Sequence, residues 1–174
     1  MRMQRHQGFT LIEMMVVVMI MAVVLAILVP KIGQMRADNR TLALSNELGA
    51  ALRNARTASL VRHRKLTFAS LDAGTSTNLW GKQGWMLSDV PSGEIVFKRT
   101  NIPGSVTINS TSTDSSLVFD GLAGRVTKAD GTPLNMTFVV CDSQIGTELG
   151  HTVTLGVFGA VAVTRNTSLS TCNP

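Results

Sequence analysis

The amino-acid sequence predicts an α+β protein in which a long, kinked N-terminal helix packs on antiparallel β-sheet. Three observations lead to this prediction. An uncharged apolar run covers residues 14–29, a helical pattern of apolar residues follows at 37–62, and short β-branched segments separated by turn residues occupy the rest of the 174-residue chain. A helix followed by successive strands is typical of α+β layer architectures.

The first half of the predicted helix is long enough to cross a membrane. From Phe9 to Val29 a helix would extend about 31 Å, which matches the hydrocarbon thickness of a bilayer. The run ends in Pro30, Lys31 and Ile32, without the small-residue cleavage site of an ordinary secretory signal. We expect Pro30 to kink a helix that continues beyond it, although a helix end at the membrane surface is the alternative interpretation.

An acidic residue, Glu13, interrupts the apolar stretch near its start. A charge within a membrane span costs a few kcal/mol near the bilayer centre and less near an interface, so an acid at this place indicates a function. One turn from a helix N-terminus, the carboxylate is also favoured by the helix dipole.

The second half of the helix has one apolar stripe. Its members follow helical spacing, and we expect them to pack against the part of the chain that follows the helix, which we call the head: Leu44, Leu48, Ala51, Leu52, Ala55 and Ser59. Four arginines fall largely outside the stripe, and we expect them to form a solvated face: Arg53, Arg56, Arg62 and Arg64.

After Lys65 the sequence changes to alternating or β-branched segments bounded by Gly, Asp, Ser and Pro. Strands are predicted near residues 65–70, 84–87, 95–99, 106–109, 116–120, 134–141, 151–157 and 160–165. The head is therefore expected to be mostly β.

Positive charge is concentrated in the second half of the predicted helix. Residues 31–65 contain eight Lys and Arg against Asp38 and Glu47, whereas acidic residues slightly outnumber basic ones from residue 66 onward. A head built mainly to grip nucleic-acid phosphates would carry a basic excess of its own. The charge distribution therefore argues against nucleic acid as the main partner.

Two cysteines occur, Cys141 and Cys172, and their separation is too large for a short metal-binding pattern. If the head is exported, a disulfide between them is expected, and it would stabilise the head by about 2–4 kcal/mol. Two free buried thiols are the alternative.

The residues that open the apolar run, Gly8-Phe9-Thr10-Leu11-Ile12-Glu13, follow a short leader containing Arg2, Arg5 and His6. This motif resembles the processing site of type IV prepilins and type II secretion pseudopilins. The resemblance implies that a prepilin peptidase cuts between Gly8 and Phe9 and that the new Phe9 amine is methylated. It also implies that Glu13 serves assembly by pairing with such an amine on a neighbouring subunit.

The same resemblance implies a pilin-like fold and a division of the chain into four parts. These are a leader at 1–8, the transmembrane half of the helix at 9–30, its periplasmic half at 31–64 and the head at 65–174. The N-terminus would be cytoplasmic, the protein would lie in the bacterial inner membrane, and the head would be periplasmic. Expected partners are other minor and major pilins, the prepilin peptidase and the inner-membrane assembly machinery.

Segments of the head resemble the GspH/FimT family. They are residues 117–120 with Gly121 and Gly124, residues 138–142, and the closing hairpin through Gly159. The Val-Cys-Asp stretch with a second cysteine near the C-terminus is most similar to FimU-type minor pilins, which implies a role in initiating pilus assembly or in its tip complex. A type II secretion pseudopilin H is the alternative, and a FimT-like DNA-uptake pilin is the second alternative.

One departure from the family weakens the DNA-uptake alternative. FimT proteins that bind DNA carry a Gly-Arg-x-Arg element in the final hairpin, where this chain has Gly159-Ala160-Val161-Ala162. Two guanidinium groups that hold phosphates are absent at the matching positions. Arg165 and the Gly124-Arg125 pair are isolated substitutes, so no nucleic-acid site is predicted.

The sequence contains no recognisable catalytic motif. His63 and His151 are far apart, and Cys141 has no convincing activating partner. We therefore expect no enzymatic activity, no cofactor and no metal site. Trp80 and Trp85 are expected to cover the sheet or to face a neighbouring subunit.

Overall fold

The computed structural model describes residues 9–72, 80, 83–142 and 150–166. The chain divides into two compact units, Met1–Arg36 and Ala37–Pro174. One helix, α1 (Leu11–Arg62), contributes residues to both units. The predicted leader lies outside the described residues.

The described part of the first unit is residues 9–36, most of which form the apolar part of α1. Its large apolar side chains are exposed along the predicted span, and a window of this helix has a mean hydropathy of 3.0. By length and composition, α1 can cross a membrane. The helix continues through Pro30 instead of ending there, which removes the helix-end interpretation, while the kink stays a prediction.

The second unit contains nine described strands. They are β1 (Lys65–Ser70), β2 (Trp85–Asp89), β3 (Ile95–Arg99), β4 (Val106–Ser110), β5 (Ser116–Asp120), β6 (Arg125–Thr127), β7 (Met136–Asp142), β8 (Gly150–Leu155) and β9 (Val161–Asn166). All pairings among the described strands are antiparallel. One sheet has the order β3-β2-β1-β5-β6, and the other has the order β4-β7-β8-β9.

The α+β prediction is confirmed, and eight strands lie where alternating residues predict them, within a few residues. The sequence did not indicate β6, because three residues are too few to show a period, nor the division of the strands between two sheets. β6 forms through its pairing with β5, in which Phe119 lies opposite Val126.

The apolar stripe of α1 packs into the core of the head. All six predicted members are buried, from Leu44 to Ser59. Both sheets contribute apolar side chains to the same core cluster, so the helix and the sheets exclude water from one continuous interior.

Trp80 and Trp85 lie within this core. Each is 1% exposed, and Phe68 stacks between them, with ring centroids 5.9 Å from Trp80 and 6.5 Å from Trp85. The rings therefore cover the sheet, as one of the two expectations held. The other expectation, that they face a neighbouring subunit, is wrong because their surface is already buried inside the head.

Gly121 allows the β5–β6 turn to approach the end of α1. A Cβ at this position would lie 1.9 Å from the carbonyl oxygen of Ser59 and 2.8 Å from that of Arg64. The amide of Gly121 donates a hydrogen bond to the latter oxygen. Only a residue without a side chain fits between these two backbone carbonyls.

Replacing Gly121 by Ala should therefore destabilise the head. The methyl group would displace the backbone of α1 or of the turn, at a cost of about 2 kcal/mol, which corresponds to a Tm lower by roughly 5 °C. Thermal unfolding of the full chain in detergent measures this. Gly104→Ala is the matched control, because nothing lies within 4 Å of a Cβ there; equal melting temperatures for the two variants would contradict the account.

Candidate functional site

The start of α1 forms a capping box around Glu13. Oε2 of Glu13 accepts hydrogen bonds from the backbone N–H of Thr10 at 2.9 Å and from its hydroxyl at 3.1 Å. In return, the hydroxyl oxygen of Thr10 accepts the backbone N–H of Glu13 at 3.3 Å. Thr10 is thus the N-cap of the helix, and Glu13 occupies the position from which an acid reaches back to it.

These bonds give the carboxylate donors within its own chain. They do not supply a counter-charge, because the hydroxyl and the amide are both neutral. Phe9 precedes the box and is exposed, so a free amine on Phe9 would stand next to the N-cap residue. The box therefore holds a negative charge at the place where a cleaved chain would begin.

Thr10 is a site residue that the sequence prediction missed. The signal was present, because Thr10-Leu11-Ile12-Glu13 fits the pattern of Ser or Thr followed three residues later by an acid ahead of an apolar run.

Two of the other predicted site residues have no described position, and a third is buried in the head. Gly8 and Cys172 lie outside the described residues. Cys141 lies in β7 and is buried, which is compatible with the predicted disulfide, but the pairing stays a prediction.

A second polar cluster joins α1 to the β7–β9 region of the head. Arg40 forms an ion pair with Asp142 at 3.0 Å, and the side chain of Asp142 is fully buried. Arg165 pairs with Asp38 at 3.3 Å. These contacts fix the first turns of the head part of α1 against β7 and β9 of one sheet.

His151 lies in the same cluster. Its Nδ1 is 3.1 Å from the hydroxyl of Thr41, which also donates a hydrogen bond to the carbonyl of Asp38. Burial lowers the pKa of His151, Asp38 opposes that shift, and Arg165 adds to it. The ring is therefore neutral at pH 7 and serves as a buried hydrogen-bonding group.

The cations considered for nucleic acid do not assemble into a site. Arg165 is occupied by Asp38, while Arg125 is exposed on β6 in the other sheet. In the final hairpin, Gly159 has a φ of 71°, and a Cβ there would lie 2.6 Å from Cδ of Arg56. The turn of this hairpin therefore lies against the stem of Arg56 from α1.

Within the described parts of the chain, His, Cys, Asp and Glu form no group of three or more that could hold a metal ion. His63 and His151 contribute to no shared cluster there.

An apolar helix that can span a membrane, an acid held at its start, and an antiparallel β head packed on its second half define a pilin-like protein. Comparison with protein families agrees with this class. Residues 3–29 match the prokaryotic N-terminal methylation motif, and residues 44–159 match the family of the type II transport protein GspH. The chain belongs to the GspH family.

Solved structures show the same fold. The chain is similar to two crystal structures of the type IV minor pilin FimU of Pseudomonas aeruginosa strain PAO1. The form in space group P21 has 20% identity and a TM-score of 0.58, covering 75% of this chain and 95% of that one. The P65 form has 21% identity and a TM-score of 0.54, covering 73% and 98%. Comparison with curated proteins gives no significant match.

The burial of His151 predicts a pH dependence of stability. The pKa of His151 is lowered from its ordinary value of 6.5 in the folded state. As the pH falls below about 6.5, the unfolded chain therefore binds more protons than the folded chain. The contribution of neutral His151 to the free energy of unfolding is fully present above about pH 6.5 and is lost as the pH falls toward the folded-state pKa.

We expect His151→Asn, which keeps a polar group near Nδ1, to flatten the fall in Tm between pH 7 and pH 5. The full chain in detergent is the sample. His63→Asn is the control, because His63 is exposed and its φ of 50° suits asparagine. A wild-type slope that persists in His151→Asn would show that other groups cause it.

Proposed function

We propose that the protein is a minor type IV pilin that is processed by prepilin peptidase and takes part in initiating pilus assembly or in its tip complex. The observation that carries this proposal is the capped carboxylate of Glu13 at the start of an exposed apolar helix. The methylation motif at residues 3–29 and the GspH-family head support it.

In this proposal the chain is cut between Gly8 and Phe9, and the Phe9 amine is methylated. Residues 1–8 are then the leader, 9–30 the transmembrane half of the helix, 31–64 its periplasmic half and 65–174 the head. The N-terminus is cytoplasmic and the head periplasmic. Pro30 kinks the helix, and Cys141 bonds to Cys172 in the oxidising compartment.

The amine and the carboxylate have complementary uses. Glu13 receives neutral donors from Thr10, but it lacks a positive charge within its own helix until Lys31. A protonated amine at Phe9 of a neighbouring pilin would neutralise it within lipid, where Coulomb attraction is strong. Filament formation would thereby lower the cost of the buried acid.

The role is structural rather than enzymatic. The partners are other minor and major pilins, the prepilin peptidase that processes the chain, and the inner-membrane assembly machinery. The description of the matched family supports a second candidate, the type II secretion pseudopilin H. Deletion separates the two, because loss of surface pili and twitching indicates a pilin, whereas loss of protein secretion indicates a pseudopilin.

The charge of Glu13 can be tested separately from its capping bonds. Glu13→Gln keeps an acceptor for the amide and hydroxyl of Thr10 but removes the charge. We expect normal cleavage and an amount in sheared pili that is lower by about tenfold, since roughly 1.4 kcal/mol of lost attraction has that effect.

Thr10→Ala is the complementary variant, because it keeps the charge and removes the cap. We expect it to lower incorporation less than Glu13→Gln does, since a cap contributes only about 1 kcal/mol. Immunoblots of sheared pili and of membranes quantify both variants. Full incorporation of Glu13→Gln together with loss of Thr10→Ala would mean that the helix cap, and not the charge, is what assembly needs.

A further inference from the structure

The end of the head where α1 finishes contains one crevice, with apolar and cationic side chains in it and next to it. Arg56 and Leu60 of α1 line it together with Gly124 and Arg125 of the β5–β6 region. Leu122 lies in the same turn as Gly124, and Phe158 precedes Gly159, which packs against Arg56. We call Arg56, Leu60, Leu122, Arg125 and Phe158 the end patch.

Its apolar members are exposed without an obvious structural use. Leu122 is 77% exposed and Phe158 is 71% exposed, and both lie in turns, where polar residues would cost nothing in packing. The two turns are adjacent, because the amide of Val126 donates to the carbonyl of Val157. Neighbouring exposed apolar groups of this size are typical of an interaction surface.

The cations of the end patch lack partners within the described head. Arg125 is exposed and makes no ion pair there, and Nε of Arg56 is buried without an acceptor. Asp120 also lines the crevice, but it pairs with Lys65 at 3.6 Å and accepts the backbone N–H groups of Leu122 and Ala123. The patch therefore presents net positive charge, and a complementary surface would bring carboxylates.

Within the described residues, a second copy of the chain offers no surface on which two carboxylates outside ion pairs lie together. Among the described exposed acids of the head, Glu94 and Asp130 stand outside ion pairs, and they lie in separate turns. Nucleic acid fits less well than protein, because phosphates would leave Leu60, Leu122 and Phe158 uncovered. Apolar area edged by cations fits an apolar protein surface edged by acids.

We propose that the end patch docks the head of a different pilin-like subunit, through an apolar surface with an acidic edge. This rests on the proposed function. From Ala37, where the head unit begins, to Leu60 the helix rises about 35 Å, so the patch lies at the opposite end of the head from residue 37. The contact therefore uses none of the residues that fasten the first turns of the head part of α1.

In-cell photo-crosslinking of the full chain tests the proposal. Benzoylphenylalanine at position 158 should give an adduct with another protein that carries the N-terminal methylation motif and an acidic head, identified by mass spectrometry. Arg125→Glu should lower the yield of this adduct about tenfold through charge repulsion, whereas Arg125→Lys should keep it within about twofold.

A probe at Ile95, an exposed apolar residue on β3 in a different part of the head, is the matched control. The products of this probe should not change with Arg125→Glu. The surface assignment is wrong if the chain enters pili but the probe at position 158 forms no adduct, or forms one whose yield does not depend on the charge at position 125. It is also wrong if the crosslinked partner is a second copy of the chain or nucleic acid. Absence of the chain from pili would instead overturn the proposed function and the docking proposal with it.

Discussion

Between Phe9 and Pro30, Glu13 is the one ionisable side chain, and the large apolar side chains around it are exposed. In lipid, an ionised carboxylate loses its hydration and needs donors and a counter-charge from elsewhere. The capping box supplies donors, since the amide and hydroxyl of Thr10 both point at one oxygen. The box leaves the charge itself uncompensated, and this remaining cost is what, in our proposal, a neighbouring chain's amine removes.

The head uses α1 in a different way from the membrane unit. From Leu44 onward, one side of the helix packs into an apolar core that both sheets share. At Gly121, the β5–β6 turn lies directly against the backbone of the helix. The Arg40–Asp142 and Arg165–Asp38 pairs hold its first turns. The ion pairs lie at one end of the head and the exposed end patch lies at the other. The residues that stabilise the fold would therefore differ from those that contact a partner.

The helix and most of the strands can be predicted from the sequence, because the repeat of apolar residues shows which side chains are buried. The Leu44–Ser59 stripe and the alternating strands were predictable, since each side chain's face follows from a fixed repeat. The short strand β6, the division into two sheets and the Arg165–Asp38 pair were not, because they depend on contacts between residues far apart in the chain. Thr10 differs from these, because its capping pattern is local and is visible in the sequence itself.

The central claim is that Glu13 acts opposite an amine created by cleavage at Phe9. Mass spectrometry of the N-terminal peptide of this protein, isolated from sheared pili, tests it most directly. The account predicts a chain that begins at Phe9 with one added methyl group. A chain that retains residues 1–8, or that starts at another residue without methylation, would contradict it.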